Sequence, residues 1–221
     1  MIRATVFIDW DAAKRLVKPK WSADENESIP LTKLVPHVES CFSELQTSVA
    51  NTINAMRLND YVTIIKSRIY HGWHSRKSKT KERAAWEDAA PKLRSRSVGK
   101  VSYLPDIAYG NELLCGGKRS PLFDTLRKRP DTGQIEQKMV DTALTSDLLW
   151  YCRSESCQAK RGDPPPALAI IVGDDDDLIP GAIVSEAWGI PTRVLRVGRD
   201  NVNKHLSTGG LIVMLSKEST C

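Results

Sequence analysis

Residues 167–180, ALAIIVGDDDDLIP, decide how the rest of the chain is read. The first six are apolar without alternation, the pattern of a strand buried on both faces of a parallel sheet. Gly173 lets the chain turn away, and Asp174, Asp175, Asp176 and Asp177 then fall at the strand's carboxyl end. Open α/β sheets place their sites at that end. Four carboxylates this close repel one another, and burying them requires a compensating cation. A hard divalent metal, which prefers oxygen ligands, is the simplest. The alternative is a solvated acidic loop that caps the following helix through an aspartate.

Outward from this stretch, strands and helices alternate. Residues 2–8 (IRATVFI) are β-branched and apolar and predict a first strand, again ending in acids, Asp9 and Asp11. AAKRLVK opens a helix that Pro19 stops, and residues 18–30 are polar and turn-rich. Residues 31–56 carry Leu34, Val38, Cys41, Phe42, Leu45, Val49 and Ile53 at three- and four-residue spacing, a long helix. Residues 60–70 (DYVTIIKSRIY) predict strand two, 84–93 a helix and 101–104 a short strand. Residues 105–133 mix glycine and proline with Lys118, Arg119, Arg127, Lys128 and Arg129, a hairpin excursion or a flap. The spacing over 135–151 predicts a helix, as it does over 178–188, with two closing strands at 193–197 and 211–215. Such alternation points to one α/β domain spanning residues 1–221, with a mainly parallel central sheet and helices on both faces.

Composition narrows the class. The 221 residues are 41% hydrophobic and 27% charged, ordinary for a globular chain, with a formal charge of +5. Because the acids cluster, the remaining surface is more basic than the total implies, which favours a polyanion such as RNA or DNA. Cys41, Cys115, Cys152, Cys157 and Cys221 are scattered and odd in number, which argues against a disulfide framework. No charged-then-apolar leader opens the chain and no apolar run approaches ~18 residues, so no membrane span and a cytoplasmic location are expected.

Three acidic groups lie at comparable points: Asp9 with Asp11 after the first strand, the aspartate run after residue 172, and Asp141 in a helix. If the first strand and 167–172 are neighbours, their carboxyl ends meet. Lys138 and Asp141 are spaced i,i+3, so on a helix both would face one cleft.

The blocks VFIDWD (6–11), KMVDTALTSDLL (138–149) and IIVGDDDDLIP (170–180) resemble the NYN domain, a PIN-like metal-dependent ribonuclease fold that includes the LabA-type proteins. All three agree in order and spacing. The resemblance implies a PIN-like three-layer sandwich and a nuclease that uses Mg²⁺ or Mn²⁺. Asp9 would be the first metal ligand and Asp141 the second, with Asp175 and Asp177 matching the family's D-x-D. Asp174 competes for that role, because the run has one acid more than the pattern needs. Asp147 matches a further aspartate of the helix, but it lies about 240° around from Asp141 on an ideal helix and so reaches another part of the site or none. Many relatives carry Asn shortly after the first Asp. Ala12 stands there in this chain, leaving Asp11 to supply an acceptor. Lys138 would neutralise a phosphate beside the metal, whose bound water attacks the phosphodiester.

The segment His71-Gly72-Trp73-His74 offers two histidines for phosphate or leaving-group contact and Trp73 for base stacking; core packing of the same residues is the alternative. Arg76, Lys77, Lys79 and Lys81, together with Lys118 and Arg119, are candidate backbone-phosphate contacts, or else solvated charge. The preference for RNA over DNA comes from the resemblance, and a homo-oligomer or larger complex stays open. Two other readings compete. A HAD-type phosphatase would use Asp9 as nucleophile and Asp11 as general acid, but Ala13 stands where that family has Thr or Val. A non-catalytic or partner-activated nucleic-acid-binding subunit would keep the fold without needing the carboxylates.

Overall fold

Two neighbouring parallel strands, residues 2–9 and 167–172, form the centre of the computed structural model, which describes residues 1–17, 28–115, 118–159, 161, 167–198 and 210–215. In chain order the elements are β1 (Ile2–Asp9), α1 (Trp10–Ala13), α2 (Leu31–Ala55), β2 (Val62–Tyr70), β3 (His74–Ser75), β4 (Ser78–Lys79), α3 (Lys81–Ala89), β5 (Arg96–Val98), β6 (Val101–Tyr103) and β7 (Ile107–Tyr109). There follow β8 (Glu112–Cys115), β9 (Lys118–Pro121), β10 (Leu126–Lys128), β11 (Ile135–Gln137), α4 (Val140–Ala159), β12 (Ala167–Val172), α5 (Ile179–Ala187), β13 (Thr192–Arg196) and β14 (Ile212–Met214). Short 3₁₀ turns extend α1 at Lys14–Leu16, follow α3 at Ala90–Lys92 and precede α5 at Asp176–Leu178.

The main sheet runs β14-β13-β12-β1-β2-β6-β5, with β7 also paired to β2. Every pairing is parallel except β5 with β6, so the sheet is mixed but mostly parallel. Alternate side chains of its central strands enter two different cores. Ala4, Val6 and Ile8 of β1 and Leu168, Ile170 and Val172 of β12 pack with α2 and α3. Phe7, Ala169 and Ile171 face α4 and α5 instead. A strand buried on both faces needs apolar residues at odd and even positions alike, which is why ALAIIV shows no alternation.

The sequence expectation fails most at residues 135–151. Ile135–Gln137 pair antiparallel with Leu126–Lys128, and the helix begins only at Val140. Met139 between them has φ 64, a left-handed backbone that ends the strand and turns the chain into α4. Ile135 and Met139 fit a helical period, but a few apolar positions cannot separate a hairpin from a first helical turn. Lys138 therefore lies outside the helix and forms no i,i+3 pair with Asp141. The strand β5 was also not anticipated: Gly99, at φ 60, and Lys100 make the two-residue turn that returns it on β6. The predicted loop over 18–30 falls largely outside the described residues. Among the described residues no helix is long and apolar enough to cross a membrane.

Candidate functional site

Asp9 ends β1, and its Oδ1 accepts a hydrogen bond from the Asp11 amide at 3.0 Å, capping α1. The register Ile8↔Val172 sets Gly173 beside Asp9. A Cβ on Gly173 would make ordinary contact with the Asp9 Cβ at 3.5 Å but crowd the buried Leu178 Cδ1 at 2.7 Å, so glycine here leaves room for the Leu178 side chain. Beyond it, Asp175 Oδ1 accepts from the Asp177 amide at 3.1 Å and starts the 3₁₀ turn. Asp141 stands in the first turn of α4, where the helix dipole favours negative charge.

The acids around this point divide by their partners. Asp174 is buried and takes Arg15 at 2.9 Å. Asp176 pairs with the buried Arg196, and Asp11 lies 2.5 Å from Lys14 Nζ. Asp147 is held by Arg68 and by the Tyr70 hydroxyl at 2.9 Å, between α4 and β2. Among the described residues no cationic side chain is within ion-pair distance of Asp9, Asp141, Asp175 or Asp177. Burial, then the charges of Asp11 and Asp141, push the Asp9 carboxyl up to about 7. Asp141 is also raised, by desolvation first and then by Asp175, Asp177 and Asp11. Mutual repulsion among these carboxylates reports their proximity.

A second set of groups lies beneath the acids, anchored by a residue that the sequence reading did not select. Glu82, on α3, is 4% exposed; it accepts from Trp10 Nε1 at 2.5 Å and from His71 Nε2 at 2.9 Å, with Lys14 Nζ at 3.6 Å. Burial alone would raise this carboxyl, but His71 and Lys14 hold it well below the usual carboxylate range. Burial likewise opposes the charge of Lys14, and Glu82, Asp11 and Asp9 outweigh it. Gln137 Nε2, from β11, hydrogen-bonds Asp11 and lies 3.0 Å from His71 Nδ1. No local pattern marks Glu82 or Gln137. Their partners are distant in sequence, and tertiary packing, including the T-shaped stacking of Trp10 on Trp86 at 4.8 Å, brings α3 against α1.

The candidate nucleic-acid contacts separate as well. Trp73 is fully buried, with its Nε1 donating to the Ile69 carbonyl at 3.3 Å, so it offers no stacking surface. His71 and His74 are buried too, the first inside the Glu82 network and the second edge-on to Phe123 at 5.7 Å. An apolar strand end is a better place for an aromatic core than for an exposed platform. Arg76, Lys77 and Lys79 are exposed on the β3–β4 hairpin, Lys81 opens α3 and Lys118 is exposed on β9. Arg119 lies on β9, but its side chain is outside the described residues. Lys138 Nζ is 3.1 Å from Glu136, and its backbone amide donates to Thr125 at 2.9 Å.

No protein-family model, curated protein or solved structure matches the chain. Its chemistry is therefore read from its own residues. As the side chains stand, no group of three or more His, Cys, Asp or Glu among the described residues is arranged to hold a metal ion. The donor chemistry still fits a hard divalent cation: four carboxylates, all-oxygen, without a counter-cation, and with Asp141, Asp175 and Asp177 exposed and able to rotate.

Proposed function

We propose that this chain is a metal-dependent nuclease of the NYN, PIN-like kind, acting on phosphodiester bonds, in RNA before DNA. One observation carries the reading. Among the described residues, the strand-end and α4 acids without a cationic partner are Asp9, Asp141, Asp175 and Asp177, four of the five aspartates at which the sequence matches the NYN pattern; the fifth, Asp147, is paired, as are Asp11, Asp174 and Asp176. These four would hold Mg²⁺ or Mn²⁺. When bound, the ion supplies an activated water and stabilises charge on the attacking and leaving oxygens. The chain's own groups do the positioning. The Asp11 amide fixes Asp9, α4 presents Asp141 at its positive end, and the Gly173 turn brings Asp175 and Asp177 over the strand end.

Cleavage of labelled single-stranded RNA with Mn²⁺ or Mg²⁺ tests the proposal. Asp9→Asn and Asp141→Asn should each lose about 100-fold or more, the scale of a misplaced reacting group. Wild type that leaves RNA and DNA intact with either metal overturns it. A second reading, a partner-activated or non-catalytic nucleic-acid-binding subunit of the same fold, is favoured by the fact that, among the described residues, no three of the acids are arranged to hold a metal ion as the side chains stand.

A further inference from the structure

Two hairpins, β3–β4 and β10–β11, project beside the acid cluster, and a cleft of about 750 Å³ lies between them. One strand pair links its wall to the candidate site. Leu126 in its wall pairs with Gln137, and Gln137 bonds to Asp11. Four cations line the cleft: Arg76, Lys79, Arg127 and Lys128. Lys79 Nζ contacts both Glu87 oxygens at 2.8 and 2.9 Å, and Arg127 is 3.9 Å from Glu136. Among the described residues no carboxylate is within ion-pair distance of Arg76 or Lys128, so both carry charge available to a ligand.

The cleft wall is held in shape by an uncommon clasp. Arg76 has φ 54 and Asp124 φ 57, both left-handed without being glycine. The Arg76 amide donates to Asp124 Oδ1 at 3.0 Å, and the Asp124 amide donates to the Arg76 carbonyl at 2.9 Å. Left-handed backbone is uncommon at residues other than glycine and concentrates at binding loops and switch regions. The residue before Asp124 is Phe123, which is 52% exposed and packed edge-on against the ring of His74. An exposed aromatic ring backed by a buried one, beside two uncompensated cations, is the arrangement that takes a base on the ring and phosphates on the cations.

We infer that this cleft, with the Phe123 ring next in the chain to its wall residue Asp124, binds single-stranded nucleic acid, with a base stacked on Phe123 and the backbone on Arg76 and Lys128, feeding the strand toward the acids. The inference rests on the nuclease reading only for where the strand leads. A stacked base must first leave its neighbours, and a cleft of this volume suits a nucleotide or two rather than a duplex. The stacking surface sought at Trp73 is thereby moved to a residue fifty positions later.

Binding is measured by fluorescence anisotropy in EDTA, so that no metal chemistry contributes, with a labelled single-stranded RNA, the same sequence as single-stranded DNA, and a blunt RNA duplex. Wild type should bind one or both single strands at least tenfold more tightly than the duplex. Phe123→Ala and Phe123→Leu should each weaken binding about tenfold while Phe123→Trp retains it, because stacking requires a ring. Arg76→Gln and Lys128→Gln should each reduce the salt slope by about one contact. Duplex bound as tightly as single strands, or a Phe123→Ala variant that binds like wild type, overturns the inference. Wild type that binds single strands in EDTA yet cleaves neither RNA nor DNA with Mn²⁺ or Mg²⁺ would overturn the nuclease reading alone. Intact metal-dependent cleavage with cleft variants that bind normally would overturn the cleft alone.

Discussion

His71 Nε2 lies 2.9 Å from Glu82 Oε2, joining the end of β2 to α3 directly beneath the acid cluster. The ionised Glu82 takes the Nε2 proton as an acceptor, and the opposite ring nitrogen faces Gln137 and Asp11. One buried carboxylate thus holds Trp10, Lys14 and His71 in fixed places, three residues that border the acids without belonging to them.

Removing that carboxylate should cost stability in a pH-dependent way. Glu82→Ala leaves Lys14 and His71 without their shared buried partner, a loss of about 3–5 kcal/mol at neutral pH. Because the folded Glu82 titrates below its ordinary 4.5, the unfolded chain binds more protons near and below that pH. Its contribution is therefore complete above about 4.5 and declines as the pH falls. Urea melts of wild type and Glu82→Gln from pH 3 to 7 should converge at the acid end; a constant gap would contradict this account.

Asp9 shows the opposite sign. With its folded carboxyl pushed up to about 7 from 3.8, the native state holds the proton more tightly, so stability falls as the pH rises through that window. Asp9→Asn should stabilise the metal-free protein at pH 7.5 by about 1–3 kcal/mol, while an asparagine Oδ1 can still cap α1. The same variant should lose the metal response. At 100 times its Kd, Mn²⁺ should stabilise wild type by about 2.7 kcal/mol, and Asp9→Asn should show little of this in a thermal melt.

Asp147 matches the family pattern but is paired, in keeping with its expected place about 240° around the helix from Asp141. It is bonded to Arg68 and Tyr70, away from the unpaired acids. Asp147→Asn should lower the melting temperature, on the scale of about 3 kcal/mol for a broken half-buried pair, and leave the metal response intact. Loss of the Mn²⁺ response in a variant that melts like wild type would return Asp147 to the site.

Much of this arrangement was legible in local pattern. The unbroken apolar run of β12, the acids after β1 and β12 and the spacing within α2 are each properties of a few consecutive residues. Backbone sterics and side-chain periodicity act over that range. The start of α4 was not legible, because strand pairing with β10 competes with helix formation for Ile135–Gln137, and the partner strand is not local.

By itself, then, the sequence determined the α/β alternation and the placing of carboxylates at strand ends. Local chemistry could not rank the four aspartates of residues 174–177, which are chemically identical and adjacent; only the resemblance singled out Asp175 and Asp177, with Asp174 competing. The tertiary structure ranked them by bringing Arg15, 159 positions away, onto Asp174 and Arg196, 20 positions away, onto Asp176. Charge compensation depends on distance in space, and packing sets that distance between segments that carry no local mark of one another.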